Sequence, residues 1–169
     1  VSVYAAPEGT EAGRLAEQTP SIDRREWLRQ IADVLGGERV LKCRLEEPID
    51  VHRLLMRGLP SEAAHHLVDS LVAIELTSEL ERALGMSRRT LSRKKTGHLT
   101  LEQSGRTWRL AEVIAAATDV FGSREAAEAW LEKPAMGLNQ ERPIDLIVTP
   151  AGHDEVMSFL ERIKYGVYT

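Results

Sequence analysis

Apolar residues along this chain recur mostly at helical spacing, three and four apart. Trp27, Ile31, Val34 and Leu35 form one such stripe, which Thr19-Pro20 opens and Gly36-Gly37 closes, so the first amphipathic helix is predicted there. Val40 to Leu45 breaks the rhythm: Leu41, Cys43 and Leu45 alternate with Lys42 and Arg44, as in a short strand or extended link that Pro48 ends. Asp50 then caps a short helix through Val51, Leu54 and Leu55, with its stop at Gly58. Leu59-Pro60 begins the next, whose stripe is Ala64, Leu67, Val68, Leu71 and Val72. Further on, Thr100 and Gln103 make a capping box for a longer helix with Leu110, Ile114, Ala117 and Phe121 on one face and Trp108 beside it. Gly122 closes it, and Ser123 caps a helix carrying Ala126, Ala127, Trp130 and Leu131 up to Pro134. An irregular stretch leads to a brief helix at Pro143 with Ile144, Leu146 and Ile147. Thr149-Pro150 opens a final one through Val156, Phe159, Leu160 and Ile163, ended by Gly166. Val1 to Gln18 has no burial period and reads as a loose tail. The chain is predicted to be all-α, without internal repeats.

The stretch between the fourth and fifth of these signals carries the first functional candidate. Ser78 caps a short helix from Glu79, with Glu81 completing a capping box, and Gly85 ends it in a tight turn. Ser87 caps a second. Two short helices joined in this way read as a helix-turn-helix, with Leu80, Leu84 and Leu91 facing the preceding apolar stripe and the second helix free to enter a DNA major groove. From Arg82 to Lys95 there are six basic residues and no acidic one. The whole chain has a formal charge of −4, so the rest sums to −10 and the positive charge is local. Arg88, Arg89 and Ser92 are the candidates for base edges; Arg93, Lys94 and Lys95 for phosphates; Thr90 lies among them on the same helix. A basic run taken alone fits a solvated surface equally well.

With 169 residues, 43% hydrophobic and 28% charged, the chain can bury a core as one domain or two small ones. Cys43 is its single cysteine, which excludes an intramolecular disulfide and a cysteine zinc site and fits a reducing, cytoplasmic setting. No run approaches the roughly 18 apolar residues of a membrane span, and no signal peptide pattern opens the sequence. The native N-terminus stays open, since Val1 is not an initiator Met. His65 and His66 are adjacent and point about 100° apart on a helix, so they cannot share a metal as an i, i+4 pair could. His153-Asp154 lacks companion ligands, and there is no glycine-rich phosphate loop or nucleophile elbow. No catalysis, metal or cofactor is expected. The last residues, Tyr165-Gly166-Val167-Tyr168-Thr169, are uncharged in side chain and aromatic; by themselves they fit packing on the chain's own last helix. Trp130 is assigned to the core.

One run of landmarks goes further. Gly58-Leu59-Pro60, Leu84-Gly85-Met86-Ser87-Arg88-Arg89-Thr90-Leu91, Val120-Phe121-Gly122, Ala129-Trp130-Leu131, Arg142-Pro143-Ile144-Asp145-Leu146 and Arg162-Ile163-Lys164-Tyr165-Gly166-Val167-Tyr168 follow in an order that resembles the Xre/MbcA/ParS antitoxins, over about two thirds of the chain. The chain departs from that pattern at Gly105, where the family has Asp, and at Asn139-Gln140-Glu141, where it has small glycines. The resemblance implies a type II toxin–antitoxin system. Residues 1–57 would be a variable segment serving dimerisation, 58–104 a helix-turn-helix domain that represses the chain's own operon, and 105–169 a toxin-binding domain. It implies a RES-domain toxin as partner, an enzyme that consumes NAD or uses it to modify a target, alongside operator DNA. Under it Arg162, Tyr165, Gly166, Val167, Tyr168 and Thr169 become toxin-binding candidates. The tail plugs the toxin's cleft with aromatic rings and, if Thr169 is the native end, a carboxylate for Arg groups that hold a dinucleotide's phosphates. A homodimer on half-sites about 34–36 Å apart is the expected DNA-bound form. The alternative is a stand-alone dimeric helix-turn-helix regulator with no toxin partner.

Overall fold

The computed structural model describes residues 23–75 and 77–166. The loose tail, the Thr19-Pro20 start signal and Val167 to Thr169 lie outside the described residues. Among the described residues the secondary structure is ten α-helices and one 3-10 turn, with a lone backbone bridge between Pro60 and His98. The all-α expectation holds.

Helix α1, Arg24–Val34, is capped by Asp23, whose carboxylate accepts from Arg25 N–H at 3.2 Å, and it buries Leu28, Ile31, Ala32 and Val34. The extended link expected over Val40 to Leu45 is half wrong. Gly36 and Gly37, at φ 98° and 71°, turn the chain straight into a second short helix, α2, Gly37–Leu41, which sinks Val40 and Leu41 into the core; a bend at Lys42 and Cys43 and an irregular link follow it. Alternation over five residues cannot distinguish the two. Helix α3, Pro48–Arg57, starts earlier than expected, because Pro48 serves as its first residue and Glu47 is its cap. Asp50 sits three residues in and accepts from the Glu46 and Glu47 N–H groups at 3.2 and 3.0 Å. Those two bonds hold its carboxyl below the ordinary Asp range.

Helix α4, Ser61–Asp69, ends before the last two residues of its expected stripe; Leu71 is half-buried and Val72 is 66% exposed. The short helices α5, Ser78–Leu84, and α6, Arg88–Arg93, follow. Helix α7, Leu101–Phe121, has the Thr100/Gln103 capping box that its sequence predicts. Then come α8, Arg124–Leu131, the 3-10 turn Met136–Leu138, α9, Pro143–Leu146, and α10, Pro150–Lys164.

The long helix α7 organises the rest. It packs against α1, α3, α5, α8 and α10, and its Leu110, Val113, Ile114 and Ala117 are fully buried. Leu80, Leu84 and Leu91 reach the same continuous core from the helix-turn-helix side, and Leu131, Ile144 and Leu160 from the other. The boundary expected between residues 104 and 105 falls inside α7, so the two halves share a helix.

Candidate functional site

The turn between α5 and α6 is locked from several directions. Thr77, not Ser78, caps α5: its hydroxyl accepts from Leu80 N–H at 3.5 Å, while the Ser78 hydroxyl donates to Glu79 at 3.0 Å. The expected Ser78/Glu81 capping box is therefore absent, and Glu81 does something else. Its carboxylate accepts from the N–H of Arg88 at 2.8 Å and so caps the start of the next helix. At the other end of α5, Gly85 at φ 68° lets its N–H reach Arg82 O (3.2 Å) and the Met86 N–H reach Glu81 O (3.1 Å), a Schellman closure. Arg106 of α7 clamps the same turn, donating to Arg82 O at 2.8 Å and to Glu102 at 3.0 Å. Ser87 then caps α6 as expected, accepting from Thr90 N–H at 3.1 Å.

On α6 the side chains sort cleanly. Leu91 is buried; Arg88, Arg89, Ser92, Arg93 and Lys95 are exposed; Thr90 and Lys94 are half-buried. The Thr90 hydroxyl bonds to that of Ser87 at 3.0 Å, and Lys94 donates to Gln103 at 3.3 Å while its carbonyl meets the His65 ring at 3.2 Å. Among the described residues no carboxylate forms an ion pair with Arg88, Arg89, Arg93 or Lys95. The result is a rigidly seated helix with cations facing solvent and unneutralised by the fold.

The other candidate set lies on α10. Arg162 sits 5.7 Å over the Phe159 ring and 3.6 Å from Glu155. Phe159 stacks on Trp130 at 6.3 Å, and Trp130 meets Phe121 at 5.3 Å, so Trp130 is half-buried in an aromatic row packed against the core. Lys164 pairs with Asp119 at 2.6 Å and lies 5.8 Å from the Tyr165 ring, which is 46% exposed. Gly166, at φ 66°, has open space around it. Beside this end, Trp27, Val120, Met157, Leu160 and Tyr165 line a groove of about 350 Å³. Val167, Tyr168 and Thr169 lie outside the described residues.

Two links between the halves escaped the sequence reading. Glu128 of α8, fully buried, accepts from the N–H groups of Val72, Ala73 and Ile74 at 2.8, 2.6 and 3.2 Å through one oxygen and from Arg124 at 2.9 Å through the other. The Ser70 and Leu71 N–H groups still close on α4 carbonyls, and from Val72 onward the N–H groups turn to the carboxylate, so the helix does not continue. Arg124 extends the link to the Ser70 hydroxyl at 3.1 Å. In the second, Asp145 of α9 bridges Arg142 (2.7 Å) and Arg82 of α5 (2.8 Å), and Arg142 reaches Glu79 at 3.5 Å. The hydrogen bond and charge of Asp145 raise the Arg142 guanidinium above its ordinary value. Glu79's own N–H and the Ser78 and Thr77 hydroxyls hold its carboxyl down at about 2. A charge on the apolar face of α8 was the one available signal for Glu128.

Among the described residues no three His, Cys, Asp or Glu side chains group as metal ligands, and no helix is long and apolar enough to cross a membrane. His65 bonds the backbone of Lys94, and the buried His153 lies 3.0 Å from Glu112.

An all-α helix-turn-helix protein, whose second, cationic helix stands on a core shared with a second helical half, is the class that these features define. Residues 50–112 match the antitoxin Xre-like helix-turn-helix domain, and residues 116–166 match the antitoxin Xre/MbcA/ParS C-terminal toxin-binding domain. The chain is 33% identical to an antitoxin Xre of Yersinia enterocolitica over 129 residues, 66% of this chain and 87% of that protein. It is 28% identical to an antitoxin Xre of Pseudomonas putida over 148 residues, 80% and 91% of the two chains. A 51-residue stretch is 41% identical to part of the Pseudomonas putida 6-hydroxy-3-succinoylpyridine 3-monooxygenase HspA, but it spans only 16% of that enzyme. The chain belongs to the Xre/MbcA/ParS family of antitoxins.

Proposed function

We propose that this antitoxin works in the cytoplasm as the binding partner of a RES-domain toxin that consumes NAD, and that as a homodimer it also represses its own operon. Arg88 and Arg89, at the exposed start of α6, and Ser92, exposed near its end, read base edges. Arg93, Lys94 and Lys95 hold phosphates, and Thr90 fixes the entry of the helix. Arg162, Tyr165 and Gly166, continued by Val167, Tyr168 and Thr169, form the toxin-facing tail, which covers the toxin's cleft with aromatic area at low entropy cost. The observation that carries the reading is the exposure of a cationic helix within the span matched to the helix-turn-helix domain, its Arg88, Arg89, Arg93 and the following Lys95 without ion-pair partners among the described residues, together with a half-exposed tyrosine at the end of the span matched to the toxin-binding domain. No side chain here is assigned catalytic chemistry; the protein acts by binding.

The test is co-expression with the RES-domain gene adjacent to its own. The full chain should co-purify with the toxin and restore growth, and a chain lacking Val167 to Thr169 should bind more weakly and fail to protect. Full protection by the shortened chain would remove the tail from the mechanism. Absence of any complex would leave the stand-alone regulator.

A further inference from the structure

Outside the recognition helix, Lys42, Arg57 and His98 line one cleft of about 100 Å³ over Leu54 and Pro60, and no carboxylate lines it. Three elements meet here: the end of α2, the end of α3, and the segment that leaves α6. Backbone bonds pin that segment against the α3–α4 link, from Leu99 N–H to Leu59 O at 2.8 Å and from Ser61 N–H to Gly97 O at 2.9 Å, with the Ser61 hydroxyl donating to Thr96 O at 3.3 Å. Gly58 makes the approach possible, since at φ 86° it has no Cβ to strike the Leu99 carbonyl. His98 is thereby held next to Arg57, only a few exposed residues beyond Lys95.

The charges in this cleft are unspent. Among the described residues neither Lys42 nor Arg57 has an ion-pair partner. The nearby acids are engaged: Asp50 by the Glu46 and Glu47 N–H groups and Arg53, and Glu38 and Glu46 by Arg44. Lys42, one of the lining residues, also adopts φ 56°, a left-handed conformation that a residue with a Cβ adopts at a cost. Arg57 lies within the span matched to the helix-turn-helix domain.

We propose that Lys42 and Arg57, with the His98 ring beside them as a hydrogen-bonding group, form a second cationic site, for phosphates of the DNA backbone that flank the groove entered by α6. This rests on the reading of α6 as the DNA-binding helix. Such contacts orient a duplex without reading its sequence, and each adds to the salt dependence of binding.

Fluorescence anisotropy tests it, using the full chain with two duplexes of equal length, the DNA directly upstream of its gene and a scrambled copy, between about 50 and 200 mM salt. Lys42→Ala with Arg57→Ala should weaken both duplexes by the same factor, about tenfold, and lower the slope of log affinity against log salt by about 1.8, at roughly 0.9 per phosphate. Lys42→Arg with Arg57→Lys should keep both affinity and slope. Unchanged affinity and slope in the double alanine variant would overturn the cleft, as would a loss confined to the upstream duplex with the slope intact. In either case, loss of sequence preference in Arg88→Ala with Arg89→Ala would leave α6 standing. A wild-type chain that binds neither duplex would overturn both.

Discussion

Glu128, fully buried, accepts four hydrogen bonds, three of them from one loop's backbone. Truncating it strands three backbone N–H groups and leaves the Arg124 guanidinium with the Ser70 hydroxyl alone. Breaking a buried ion pair from one side costs about 3–5 kcal/mol, so Glu128→Ala should lower the unfolding free energy of the full chain, read from urea denaturation, by about that amount and shift the midpoint down with it, while Glu128→Gln, which keeps one acceptor oxygen, loses less. An equal midpoint for Glu128→Ala and wild type would mean that the loop over Val72 to Ile74 is held by something else. Glu79 gives a second residue-level expectation. Its carboxyl, held at about 2 rather than 4.5, contributes at every pH above the ordinary value, and that contribution is lost as the pH falls from 4.5 through 2. An NMR titration should find it still ionised at about pH 3, where an unperturbed Glu is mostly protonated.

Among the elements, α6 invites the most direct experiment. Arg88→Ala with Arg89→Ala should reduce operator affinity by about 1–3 kcal/mol per lost base pairing without changing the melting temperature, because both side chains are exposed and make no contact with the core. Elements governed by local chemistry were legible beforehand: the Thr100/Gln103 box of α7, the Ser87 cap of α6, the Thr149-Pro150 start of α10, and the Gly85 turn. The failures had distant or ambiguous causes. The loop that replaces the expected continuation of α4 is held by Glu128, 54 to 56 residues away in sequence from the N–H groups it bonds, and no pattern within α4 encodes it. The helix α2 lay hidden because its five residues are too few to show a period. The cap of α5 was misplaced by one position because Thr77 and Ser78 are chemically equivalent candidates. Of the candidate site, the exposed cations of α6 were readable from sequence; the Lys42–Arg57–His98 cleft was not, because it gathers residues from three separate stretches.

The molecule as a whole is less divisible than its two matched domains suggest. The spans 50–112 and 116–166 meet inside α7, whose buried residues face both halves. Glu128 grips the loop that leads into α5, and Arg142 and Asp145 tie α9 to the same helix. A chain ended near residue 115 should therefore lose both its cooperative unfolding transition and its affinity for upstream DNA, although every cation of α6 remains. Calorimetry and anisotropy on that fragment check this. A fragment that melts sharply and binds like the full chain would show that the halves are independent.

Sharing α7 also has a bearing on how such a protein leaves the stage. On the proposed function, a protease that severs this one helix would set the partner enzyme loose and lift the block on transcription in the same stroke, so neither duty could outlast the other.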